Sequence, residues 1–382
     1  MLWRLCDGLY ERAFYRRVTL GGALLVSAAA RSASFESGGG ATGGKLQEDG
    51  AKVERRSIGA AALEVGAVGL GCMPMSWAYT TSQQDGEGSL RAVHAALDAG
   101  TTLLDTADMY GPFTNELLVG RVLKERRQDA FLSTKCGLLV GDQHIVANGR
   151  PGYIRRACDA SLRRLQTDVI DLYQLHRVDP EVPIEETWGA MAELVAAGKV
   201  RSLGLCAVGA RGNRRYGTGL HTETVRQLER AQQVFPVSCV QAELSVWARE
   251  ALDELLPWCA VRGVGLMAAM PLGNGFLTST LTPGQGFEPD DVRARHPRFT
   301  AEMMAANQPI VAGLRRVAVR HGATPGQVAL AWVLAQGRHV VPVPGTKRAH
   351  WARENAAAAE LRLSAADLAE VTGLPPARGS WD

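Results

Sequence analysis

The stretch Thr102-Leu103-Leu104-Asp105-Thr106-Ala107-Asp108-Met109-Tyr110-Gly111 decides how the rest of the chain reads. A short apolar run stops at a carboxylate, a polar loop carrying one aromatic residue follows, and amphipathic sequence then resumes. That is the pattern of a buried parallel strand leading into a loop and a helix. The same unit recurs along the chain. Apolar runs lie at 68–71, 102–105, 130–135, 169–175, 200–205, 237–241, 264–268 and 339–343, with helical periodicity at 90–99, 116–124, 153–165, 184–197 and 224–232 between them. Gly100 and Gly198 act as helix stops. Eight strands favour a closed parallel barrel over an open sheet. No GxGxxG follows the first run and no Walker-type loop occurs, so a doubly wound nucleotide-binding fold lacks its main support. The expected class is α/β, a single (β/α)8 TIM barrel, and any cofactor must bind outside a Rossmann motif.

The totals agree with one catalytic domain: 382 residues at 46% hydrophobic content can fill one large core. The barrel is assigned to 53–382 and a leader with a glycine-rich linker to 1–52. With 42 basic and 39 acidic residues the net charge is +3, which offers no field for a polyanion and argues against nucleic acid as a partner. Seven scattered cysteines form neither a disulfide framework nor a zinc-ligand cluster, so no metal is expected and a reducing compartment fits best. The leader is rich in arginine and poor in acid, and its apolar run is too short to span a bilayer. It suits a plastid or mitochondrial transit peptide and also resembles a secretory signal; an untargeted tail or a misplaced start codon are the other readings. The domain itself is expected in the cytoplasm or an organelle, without a membrane.

Four polar residues fall at the C-terminal ends of three consecutive strands, where barrels assemble active sites. Asp105 ends the second strand, Tyr110 follows it, Lys135 ends the third and His176 the fourth. Carbonyl reduction needs a hydride at carbon and a proton at oxygen. A tyrosine is a poor acid near neutrality unless a cation stabilises its phenolate. Lys135 is that cation, Asp105 holds it by an ion pair, and a neutral His176 orients the substrate oxygen. Singly, each has a plain structural explanation as cap, packing residue or solvated strand end; together and in order they form a constellation. The loop Gly345-Thr346-Lys347-Arg348 offers backbone donors near a helix start, a hydroxyl and two cations, a set suited to a phosphate ester and to NADPH over NADH.

These segments resemble the aldo-keto reductase family, in particular its plant and microbial branch related to auxin-induced reductases. The resemblance covers about 53–374 and rests on Gly69-Leu70-Gly71-Cys72-Met73, on 104–111, on Ser133-Thr134-Lys135, on 155–165, on 168–176 and on Pro344-Gly345-Thr346-Lys347-Arg348. It implies Tyr110 as proton donor with Asp105, Lys135 and His176 completing a tetrad. It also implies an NADPH/NADP+ site that includes Gly71, Met73, Asp105, Cys206, Gln241, Pro271, Leu272, Gly273, Gly345, Thr346, Lys347, Arg348, Glu354 and Asn355. Monomers or weak homo-oligomers are expected.

The pattern breaks around the nicotinamide. The family's fifth strand usually ends in Ser followed by Asn or Glu, whereas this chain has Cys206 and Ala207. Close relatives end the seventh strand in Tyr-Ser-Pro-Leu-Gly, with the Tyr stacked on the nicotinamide; here the run is Ala269-Met270-Pro271-Leu272-Gly273, with Met270 left to fill part of the gap. Asn274 and Leu244 stand where Arg and Tyr are common. These losses give an alternative to the reductase, an NADPH-binding regulatory or degenerate relative with little turnover. Two long connections, 207–221 and 272–308, are expected to cover the site, the first being also readable as a gene-model error. The substrate is a small carbonyl compound; Trp77, Tyr79, Phe113 and Trp247 suggest an apolar or aromatic one.

Overall fold

The structure is a computed structural model that describes residues 54–59, 63–141, 145–207 and 221–379. The chain divides into units 1–50 and 51–382, and every described residue belongs to the second. The leader, with its targeting readings, and the insertion at 208–220 lie outside the described residues. Among the described residues no helix is long and apolar enough to cross a membrane.

Eight parallel strands form one sheet: β1 (Leu70–Gly71), β2 (Leu103–Asp105), β3 (Phe131–Cys136), β4 (Ile170–Leu175), β5 (Val200–Cys206), β6 (Cys239–Glu243), β7 (Gly265–Ala269) and β8 (Val340–Pro342), each paired to the next in chain order. The barrel closes between β8 and β1, where Gly69 N donates to Pro342 O at 2.9 Å and Gly71 N to Pro344 O at 3.0 Å. Pro342 and Pro344 have no N–H to return. Regular pairing is therefore short at the seam, completed by a single parallel bridge between Gly71 and Gly345, and only two residues of the expected first strand are regular strand. The backbones also come unusually close there: a Cβ on Gly71 would sit 3.2 Å from Gly345 Cα.

The expected outer helices are present as Gly86–Asp98, Thr114–Arg126, Pro151–Leu165, Ile184–Ala196 and Thr222–Val234. Where they begin a few residues early, the first residues are polar, glycine or proline, so apolar periodicity starts only once a face meets the sheet. Gln308–His321 and Pro325–Leu334 lie between β7 and β8, the latter opened by a capping box between Thr324 and Gln327.

A feature with no counterpart in the sequence reading seals the bottom of the barrel. The antiparallel hairpin Arg55–Ile58/Leu63–Gly66 inserts Ile58 and Val65 into one cluster with Leu103, Phe131, Leu172, Cys239, Met267 and Val341, the inward residues of six strands. Full burial of those two side chains contributes roughly 1.5–3 kcal/mol each. Buried Arg56 ties the hairpin to the barrel by donating to the carbonyls of Leu334, Gly337 and Val340 at 2.9, 2.7 and 2.9 Å. Side chains alternate along a strand, so the inward positions above this apolar floor come two residues later. Those positions are Asp105, Ser133, Gln174 and Gln241, and they form the polar top layer.

Candidate active site

Asp105 is the centre of that layer. Its Oδ1 accepts from Ser133 Oγ at 2.9 Å and Gln174 Nε2 at 3.2 Å; its Oδ2 accepts from Lys135 Nζ at 2.7 Å and Gln241 Nε2 at 2.8 Å. Donors from three other strands, β3, β4 and β6, thus converge on one buried carboxylate. Lys135, 1% exposed, spends its remaining hydrogens on Thr106 O at 2.7 Å and Tyr110 Oη at 3.4 Å. Because the ammonium donates to the phenol oxygen, the phenol's own hydrogen is left to point elsewhere.

The loop that carries Tyr110 is locked locally. Asn115, fully buried in the first turn of Thr114–Arg126, donates from Nδ2 to Cys72 O at 2.9 Å and to Ser76 Oγ at 2.6 Å, while its Oδ1 accepts from Thr106 Oγ1 at 2.7 Å. Asn115 therefore ties the β1 and β2 loops together. His176, at the end of β4, meets the Tyr110 ring edge to face with centroids 5.9 Å apart. The four sequence-predicted residues are together.

Burial pushes the Tyr110 phenol up to about 12, against the pull of the Lys135 cation. Lysine was expected to lower the tyrosine; it does act in that direction, but desolvation outweighs it, so the proton stays on the phenol at neutral pH. Burial is the largest influence on the Lys135 ammonium and works against it, yet Asp105, Tyr110 and Cys206 together more than compensate and hold it above the usual lysine range. His176 is driven well below its usual value by burial, then by Lys135 and Arg177. It is neutral, able to donate one hydrogen bond and accept another. This arrangement can give a proton to an oxygen and stabilise the phenolate left behind.

A cavity of about 860 Å³ starts at Tyr110 and His176 and continues past Asp105, Cys206 and Gln241 to Pro271 and Leu272, between Gly71, Met73 and Gly345, and on to Thr346, Lys347, Arg348, Glu354 and Asn355. Its far end abuts helix Ala349–Ala357, whose start is set by Arg348 as N-cap. Thr346 Oγ1 accepts from Arg348 N at 3.1 Å. Burial and the adjacent Arg348 charge lower the Lys347 ammonium, a cost that a bound anion would relieve. The elongated shape, the close glycine seam and two cations at a helix start fit a phosphorylated dinucleotide.

The 272–308 connection does cover the site. Asn274, Gly275, Thr278 and Arg293 line the cavity, and the segment is fastened to the β1 loop by Val292 N to Ala78 O at 2.8 Å, Thr80 Oγ1 to Asp291 Oδ2 at 2.9 Å and Tyr79 Oη to Asn274 Oδ1 at 3.1 Å. Met270 lines the cavity in the left-handed region at φ 49°, a backbone state that clusters at ligand sites.

Three expectations need correction. Phe113 turns outward at φ 70°, 43% exposed under the Arg164 guanidinium, and Trp247 is buried in a stack on Phe276 with centroids 5.0 Å apart. Neither lines the cavity, whereas Trp77 and Tyr79 do. Gly273 does not line it either. Its absent side chain serves Trp247, since a Cβ there would lie 2.5 Å from the indole. Ser133, Gln174 and Asn115 were not singled out in the sequence. Ser133 and Gln174 precede Lys135 and His176 by two residues each, and strand alternation was the signal that marked them.

Comparison with known proteins agrees with this geometry. The sequence model of the Aldo/keto reductase family matches residues 67–375. A "Probable aldo-keto reductase 1" of Glycine max is 38% identical over 323 residues, 84% of this chain and 88% of that protein. Among solved structures, the glycerol dehydrogenase of Gluconobacter oxydans superposes with a TM-score of 0.71 at 26% identity, covering 83% of this chain and 93% of its own. An aldo/keto reductase of Klebsiella pneumoniae, in complex with NADP and acetate, gives 0.62 at 27% identity, covering 85% and 97%. The barrel, the match along most of its length and the shared motifs lead to one conclusion: the chain belongs to the aldo/keto reductase family.

Proposed function

We propose that this protein reduces aldehydes or ketones to alcohols with NADPH, Tyr110 supplying the proton. The observation that carries this reading is the bond from Lys135 Nζ to Tyr110 Oη, set in a cavity whose other end presents Lys347 and Arg348 beside a helix start. Gly71, Gln241, Pro271, Leu272, Gly345 and Thr346 would border the cofactor, and Lys347 and Arg348 would face its extra phosphate. When bound, NADPH supplies the hydride. The chain's own residues do the rest: neutral His176 orients the carbonyl oxygen, Tyr110 gives it a proton, Lys135 stabilises the phenolate, and Asp105 keeps Lys135 in place. Solvent then returns the proton to Tyr110, so one carbonyl, one NADPH and one proton become one alcohol and one NADP+.

The test is NADPH oxidation, followed with aromatic and aliphatic aldehydes and repeated with NADH. Turnover with NADPH well above NADH is the expected result. Tight NADPH binding without turnover across the panel would favour the regulatory reading, which Cys206 and Ala269 at the nicotinamide positions support. No NADPH binding would overturn both.

A further inference from the structure

The substrate end of the cavity carries a charge that the proposed chemistry does not use. Around Tyr110 and His176 its wall is apolar, formed by Met73, Trp77, Met109, Leu138, Ile145 and Ala147. Arg177 is the exception. It follows His176 directly, is exposed and lines the same cavity. Its Nη1 donates to His176 O at 2.6 Å, and among the described residues no carboxylate pairs with it. The carboxylates bordering the cavity are engaged elsewhere: Asp105 by Lys135, Glu243 by Arg298 at 3.7 Å, and Glu354 by Thr324 Oγ1 at 2.8 Å. Arg177 also acts inward, because its charge is among those that disfavour a proton on His176 and oppose the burial-driven rise of the Cys206 thiol. The bond to His176 O anchors one nitrogen of the guanidinium, and among the described residues the rest of its planar fork has no hydrogen-bond acceptor.

We propose that Arg177 makes this pocket selective for carbonyl compounds that bear a carboxylate, such as oxo acids and aryl or alkyl semialdehydes. The carbonyl lies at Tyr110 and His176, the carbon skeleton rests on Met109 and Trp77, and the carboxylate meets the guanidinium. A neutral substrate of the same shape forgoes a charge-assisted bond. This proposal rests on the reductase reading and names its substrate class.

The experiment compares 4-carboxybenzaldehyde with its methyl ester, methyl 4-formylbenzoate, on the full chain, Arg177→Met and Arg177→Lys. The wild type should prefer the acid by about tenfold in kcat/KM, mainly through KM, and added salt should erode the preference. In Arg177→Met the acid-to-ester ratio should collapse to about one, with Arg177→Lys in between. Equal use of acid and ester by the wild type would overturn the proposal. So would a Met variant that loses both substrates in equal proportion, since Arg177 would then act only on the His176 backbone. If neither aldehyde is turned over, the reductase reading has failed, and calorimetric binding of 4-carboxybenzyl alcohol against its methyl ester in the presence of NADP+ still reads the ratio. A ratio near one in that measurement also overturns the proposal.

Discussion

Two walls of one cavity are built on opposite plans. On the side of β2, β3 and β4, Asp105 is met by Ser133, Lys135 and Gln174, with Gln241 of β6 as a fourth donor, and every hydrogen of the Lys135 ammonium has an acceptor. On the side of β5 and β7 the strand ends are Cys206, Ala207, Ala269 and Met270, and their side-chain polar contacts among the described residues are those of Cys206 Sγ to Gln241 Oε1 at 3.3 Å and Gln174 Oε1 at 3.9 Å. The first wall is over-determined, because removing any member strands a buried donor, acceptor or charge. The second is more permissive, since at Ala207, Ala269 and Met270 no side-chain hydrogen bond is at stake and at Cys206 only weak thiol bonds are. The difference explains how a chain can keep the Asp105, Lys135 and Tyr110 cluster in register while carrying Cys206, Ala207 and Ala269 at the opposite strand ends.

Predictions that would break this contrast run from the first wall to the second. Replacing Lys135 by Met should lower kcat by roughly 10²–10⁴-fold, the usual worth of a positioned acid–base pair, in steady-state assays under saturating NADPH. Asp105→Ala leaves the Lys135 ammonium buried without its counter-ion and should cost about 3–5 kcal/mol in denaturant unfolding. Removal of one of the cations proposed to face the phosphate, Lys347→Ala, should weaken NADPH about tenfold in a fluorescence titration and leave NADH nearly untouched.

Smaller effects belong to pH and to the second wall. His176 resists protonation in the folded state, whereas its unfolded form takes up a proton near 6.5. Stability from this group is therefore intact above that value and lost as pH falls below it, by at most roughly 1.4 kcal/mol per pH unit; His176→Gln should flatten that part of an unfolding-versus-pH curve. Ala269→Tyr, which restores an aromatic platform, should tighten NADP+ by about fivefold or less. A change of a hundredfold there would mean that the second wall is not permissive at all.

The sequence was informative where chemistry repeats with the strand period. Asp105, Lys135 and His176 stand at strand ends and Tyr110 in the loop after one of them, so all four could be placed in one mouth from order alone, as could the Gly345 to Arg348 loop. Ser133 and Gln174 were legible by the same alternation yet read as strand filler, because a neutral side chain inside a strand carries no charge signal. The bottom hairpin was invisible for another reason: residues 55–58 and 63–66 are too short and too polar on their outer faces to show a period. Phe113 and Trp247 misled because an aromatic residue near an active loop is as often packed away as presented. The decision in each case lay in a backbone turn or a neighbouring ring outside the local sequence.

The central claim, that Tyr110 is the proton donor backed by Lys135, is tested most directly by Tyr110→Phe. NADPH affinity and turnover should be measured on the same sample beside the wild type. The account predicts NADPH binding within about twofold of wild type and a kcat reduced by roughly 10²-fold or more. A Phe variant that turns over substrate at a near wild-type rate would contradict it.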